Sequence, residues 1–184
     1  LKFFKTRPAK EAVGARFRPT ADVFAMRREG DVCTAEVRVS PERAVELFHE
    51  LTEHMPEIVD IALDCLRTGR KYVGEGLHLS EVTETVARLK VPLAASGGVE
   101  LAVYTGEEQL CLSPMLDLWV YAKSDRWLYL LLGRGLEERP NLPAREWSVG
   151  AKEFTGGAEL VDAVTATAER LTLKLVSHVD KPTK

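Results

Sequence analysis

Residues 99–132, VELAVYTGEEQLCLSPMLDLWVYAKSDRWLYLLL, decide the fold. Four runs within it favour strand: Val99 to Thr105, Gln109 to Ser113, Leu116 to Lys123 and Arg126 to Leu132. They are divided by Gly106-Glu107-Glu108, Pro114-Met115 and Ser124-Asp125. Such short connections join strands antiparallel, because a parallel crossover takes about a dozen residues or more. The stretch predicts an antiparallel meander.

Upstream, the segments Asp22 to Arg28 and Asp31 to Val39 flank Glu29-Gly30, with Cys33, Ala35, Val37 and Val39 alternating with Thr34, Glu36 and Arg38. Period-two alternation about a glycine turn predicts a hairpin with one buried face. Ser40-Pro41-Glu42 then supplies a capping hydroxyl, a proline that gives up no hydrogen bond at the first helical position, and an acid facing the helix dipole. A helix follows on Ala44, Val45, Leu47, Phe48 and Leu51, and Pro56 breaks it near Met55. A second helical segment is expected on Ile58, Ile61, Ala62, Cys65 and Leu66, stopping at Gly69. After a glycine-containing connection, Ser80 to Lys90 predicts a third, with Val82, Val86 and Leu89 on one face.

Downstream of the meander, a loop carrying Pro140 and Pro143 leads to a possible edge strand, Glu146 to Val149. Ala158 to about Val176 predicts a closing helix with Leu160, Val161, Val164, Ala168, Leu171 and Leu175 as its apolar stripe. The fold class is therefore α+β. An antiparallel β-sheet, formed by the N-terminal hairpin and the C-terminal meander, packs with three consecutive helical segments and one long C-terminal helix. A single domain is expected over residues 21–180, preceded by a basic arm, residues 1–20. The element order is similar to the helix-grip architecture of START-like ligand carriers, but departs from it at the extra helix of Ser80 to Lys90 and in the short meander. The likeness rests on no shared motif.

Composition narrows the function classes. The chain has 184 residues, 45% of them hydrophobic, and a net charge of −3. That suits one domain with a substantial core and gives no whole-molecule attraction to nucleic acid or anionic membrane. Lys2, Lys5, Arg7, Lys10, Arg16 and Arg18 oppose only Glu11 in residues 1–18. A basic arm of this kind suits RNA, DNA or an acidic partner, although a solvated terminus is its commoner meaning. The run Leu128 to Leu132 is far shorter than the roughly 20 residues of a spanning helix, and residues 1–18 do not read as a leader. Cys33, Cys65 and Cys111 are an odd number without CxxC spacing, which disfavours a disulfide framework or zinc site and predicts small buried hydrophobes in the cytoplasm.

The motifs that carry chemistry are sparse. His49-Glu50-Leu51-Thr52-Glu53-His54 resembles a metalloprotease helix motif, but its histidines stand five apart, a rotation of roughly 140° that keeps them from one metal. The expected reading is a solvated face of Glu46, His49, Glu50 and Glu53, with Glu50 and His54 one turn apart. Neither Gly74-Glu75-Gly76 nor Gly133-Arg134-Gly135 has the context of a phosphate loop, and no Gly-x-Ser-x-Gly elbow occurs. No catalytic set, metal or cofactor is expected.

Surplus aromatic surface is the more informative feature. Trp119 and Tyr121 share one face of their run, and Trp127 and Tyr129 one face of theirs. A two-residue turn at Ser124-Asp125 sends the pairs to opposite sides of the sheet, whereas an odd loop gathers all four. With Leu118, Val120, Leu128 and Leu130 on the other faces, both sides need cover, and helices on each side would provide it. The sequence favours a non-catalytic binding or protein-interaction module, with a protein partner or self-association through these aromatics or a helix face. The alternative is an apolar small-molecule carrier or small enzyme with a pocket between the sheet and the closing helix, lined by the four aromatics with His49, Glu50 and His54 as polar groups.

Overall fold

A computed structural model describes residues 22–142 and 158–178. The expected basic arm, residues 1–20, and the expected edge strand, residues 146–149, lie outside the described residues. Strands β1 (Val23–Glu29) and β2 (Val32–Arg38) form the expected hairpin, with Ala35 and Val37 in the core. Helix α1 (Pro41–Thr52) begins where the cap predicts, and the Ser40 side chain accepts from the Arg43 amide at 3.3 Å. Its Ala44, Val45, Leu47, Phe48 and Leu51 are all buried.

The next segment differs from the sequence reading. Residues 58–65 are not helical but form β3 (Ile58–Cys65), and the supposed connection is its partner β4 (Arg70–His78). Val59, Ile61, Leu63 and Cys65 are buried while Asp60, Ala62 and Asp64 are only partly so. That period of two, set two residues beyond Pro56, outweighs the weaker helical spacing of Ile58, Ile61, Ala62 and Cys65. Helix α2 (Leu79–Val86), a short 3-10 turn (Ala87–Leu89) and α3 (Lys90–Ser96) then cover the region expected to be the third helix.

The meander is confirmed for three strands, β5 (Val99–Tyr104), β6 (Glu108–Leu112) and β7 (Leu118–Ala122). Its expected fourth strand is instead helix α4 (Arg126–Gly133). Strand β7 already pairs with β6 on one edge and β2 on the other, so no edge is left for residues 126–132. Trp127 and Leu131, one helical turn apart, enter the core together. The two-residue β8 (Glu137–Glu138) runs parallel to β1. Helix α5 (Ala158–Arg170) is the closing helix, shorter than expected, because the chain turns at Thr172 (φ 52°) into strand β9 (Lys174–His178), which pairs with β4.

The result is α+β: a nine-stranded, mostly antiparallel open sheet in the order β8-β1-β2-β7-β6-β5-β3-β4-β9. Helix α1 packs over β6, α2 over β3 and β4, and α5 over β3. One core joins these helices to the inward residues of the strands, such as Phe24, Val37, Leu63, Leu101, Leu110 and Val120. The similarity to a helix-grip architecture ends here, because strands occupy 58–78 and several short helices share one side of a linear sheet. No described helix is long and apolar enough to cross a membrane.

Candidate functional site

In an antiparallel ladder, residues directly opposite one another point to the same side of the sheet. Registers across six strands therefore define two rows on the side away from the core. One runs Ala25, Glu36, Trp119, Cys111, Ala102 and Ala62. Beside it runs Arg27, Thr34, Tyr121, Gln109, Tyr104 and Asp60. None of these side chains belongs to the core cluster, which draws every described helix from the opposite side. The described helices thus pack on one face only, not on both as expected, and the second face carries aromatic and small residues.

Two residues apart on β7, Trp119 and Tyr121 stack with ring centroids 6.2 Å apart and an interplanar angle of 10°. Tyr121 keeps 37% exposure. Across the sheet from Trp119 stand only the small Cys111, Ala102 and Ala62. The same half carries the acids Asp60, Asp64 and Glu100, with Lys71 directly opposite Asp64, and Glu75 lies close enough to act on Tyr104. Burial raises the Tyr104 phenol, helped by Asp60 and Glu75, and raises the Tyr121 phenol, helped by Cys111, Glu100 and Glu36. The Cys111 thiol is pushed up to about 12 by burial and by Glu100. Both phenols thus stay protonated donors, and Cys111 is an inert thiol rather than a nucleophile. Cys111 is only partly buried, which corrects the expectation of a buried cysteine there, whereas Cys33 and Cys65 are buried as expected.

The four expected aromatics do not share one surface. Trp127 is 1% exposed, in the core, and donates its indole N–H to Glu108 Oε2 at 2.8 Å. Tyr129 stands on α4 at 67% exposure. Only Trp119 and Tyr121 are brought together.

His49, Glu50 and His54 are also separated by role. His49 is 7% exposed, turned inward from α1, edge-on to Phe48 at 5.9 Å, and its Nε2 has no hydrogen-bond partner. Burial, with Lys90 nearby, lowers its pKa to about 4, so it stays neutral. The expected solvated face is corrected at this residue. Glu50 accepts from Arg134 Nε at 2.8 Å and from Arg43 Nη1 at 3.4 Å. The same Arg134 reaches His54 Nε2 at 3.0 Å, an approach that requires the lone pair on that nitrogen. Arg126 donates to the His54 carbonyl at 2.9 Å and to Glu108, while lying 5.0 Å above the Trp127 ring. These contacts latch α4 to α1 and β6. The Glu50 carboxylate is thus held by two guanidiniums and the His54 imidazole by one.

Among the described residues, no group of three or more His, Cys, Asp or Glu is placed to hold a metal ion. Sequence reasoning did not place Tyr104, Gln109, Cys111 and Glu100 on the same face of the sheet as Trp119. The signal was present as alternation, with Glu100, Ala102 and Tyr104 interleaving Leu101 and Val103, but pairing register was needed to align them with β7. Comparisons with protein-family models, curated proteins and solved structures return no match.

Proposed function

We propose that this protein is a non-catalytic protein-interaction module whose binding surface is the second face of the sheet, centred on Trp119 and Tyr121. The observation that carries it is the stacked Trp119–Tyr121 pair on a sheet face that no described helix packs against. Tryptophan and tyrosine combine a large apolar area with a polar tip, and such residues dominate the energetics of protein interfaces. The titratable groups elsewhere, His49, Glu50 and His54, are held in the core or in the α4 latch, which supports binding over chemistry. Free thiols at Cys33, Cys65 and Cys111 support a reducing, cytoplasmic setting.

Size-exclusion chromatography with light scattering, on freshly opened cells producing the full chain, tests this reading. The wild type should elute in a complex heavier than the 20.4 kDa chain. The Trp119→Ala/Tyr121→Ala double variant should elute as the free chain with an unchanged melting temperature. A double variant that still elutes in the complex, or that unfolds, contradicts the proposal.

A further inference from the structure

The geometry points to a second copy of this chain as the occupant of that face, the two sheets packing face to face about a twofold axis parallel to the strands. This inference rests on the reading of the face as a protein-binding surface. What distinguishes a second copy from any other partner is that the face is complementary to itself. A twofold axis lying between β7 and β6 keeps each cross-strand row over its own row and reverses the order of the strands. Strand β1 then faces β3 of the copy, β2 faces β5, and β7 faces β6.

Under that operation charge meets opposite charge. Arg27, at the β1 end of its row, falls over Asp60 of the copy at the β3 end. Size is matched as well: the Trp119 indole falls over Cys111 and beside Ala102 of the copy, a large residue over small ones. Each contact occurs twice, as an isologous interface requires. The six strands span about 24 Å at their usual spacing, and sheets packed in this way lie about 10 Å apart at a crossing of about −30°. An indole bridges a gap of that size only where the opposing side chains are short.

Sedimentation velocity of the purified full chain over a concentration series tests the inference. The wild type should show a reversible monomer–dimer equilibrium. Trp119→Ala should weaken it about 30-fold, as loss of a central aromatic anchor does. Arg27→Glu should weaken it about tenfold, more at low salt than at high, because it sets an acid over Asp60. The double variant Arg27→Glu/Asp60→Arg should recover most of the loss, and Tyr129→Ala, on the helix side, should change nothing. A dimer indifferent to Trp119 and to the charge exchange overturns the inference. So does a chain that stays monomeric throughout. If that monomer is found in a Trp119-dependent complex in opened cells, the face still binds protein and only the second copy is wrong. If no such complex exists, both readings fall.

Discussion

Two tryptophans eight residues apart have opposite fates, and the difference is measurable. Trp127 fills the core with its N–H satisfied by Glu108, so Trp127→Ala should cost about 3 to 5 kcal/mol in chemical denaturation. Trp119 lies outside the core cluster, and Trp119→Ala should change the stability of the dilute monomer by no more than about 0.5 kcal/mol. His49 predicts a pH dependence. Its folded pKa of about 4 lies below the ordinary 6.5, so the unfolded chain takes up the proton first. Stability from this group is complete above pH 6.5 and declines as pH falls toward 4, by up to roughly 3 kcal/mol. Urea unfolding of wild type and His49→Phe across that window should show a shallower decline in the variant. At this scale the sequence showed the aromatics but not their environments. Nothing local to Trp127 or His49 records that each turns inward, because that depends on residues brought from β6, α1 and α3.

Elements were legible wherever a local rule was unopposed. The alternation of Cys33, Ala35 and Val37 and the Ser40-Pro41 cap specify β1, β2 and the start of α1 with nearest-neighbour chemistry alone. Residues 58–65 and 126–133 misled for one physical reason: their apolar runs satisfy two periods at once, and the choice belongs to the sheet. Strand β3 forms because β4 and β5 both offer edges to it, and α4 forms because β7 offers none. The strand assignment of β4 has its own test. A Cβ placed on Gly74 would lie 2.5 Å from Leu173 Cδ2 and 2.9 Å from Leu77 Cδ1, so Gly74→Ala should cost about 1 to 3 kcal/mol. Amide exchange should rise in β9 beyond that global loss. The α4 latch should be modest, since its ion pairs are partly exposed. A double-mutant cycle of Glu50→Gln with Arg134→Met should return a coupling of about 1 kcal/mol or less.

For the whole molecule, the class α+β follows from counting turns and caps, whereas the layering does not. The sequence shows that β7 is apolar on both sides, and helices on each side were the economical expectation. Among the described residues α1 to α5 instead share one side, because β3 and β4 form strands where a second helical segment was expected. The stacked Trp119 and Tyr121 lie on the side of the sheet away from those helices, and the proposed interaction surface is centred on them. The most direct measurement replaces Tyr121 in the full chain with a photo-cross-linking phenylalanine analogue, Tyr129 carrying the same group in a control, and weighs the products by mass spectrometry after irradiation in producing cells. The account predicts an abundant adduct from position 121, of twice the chain mass and joined to the second face of the copy, with little from position 129. Equal or absent yields at the two positions would contradict it.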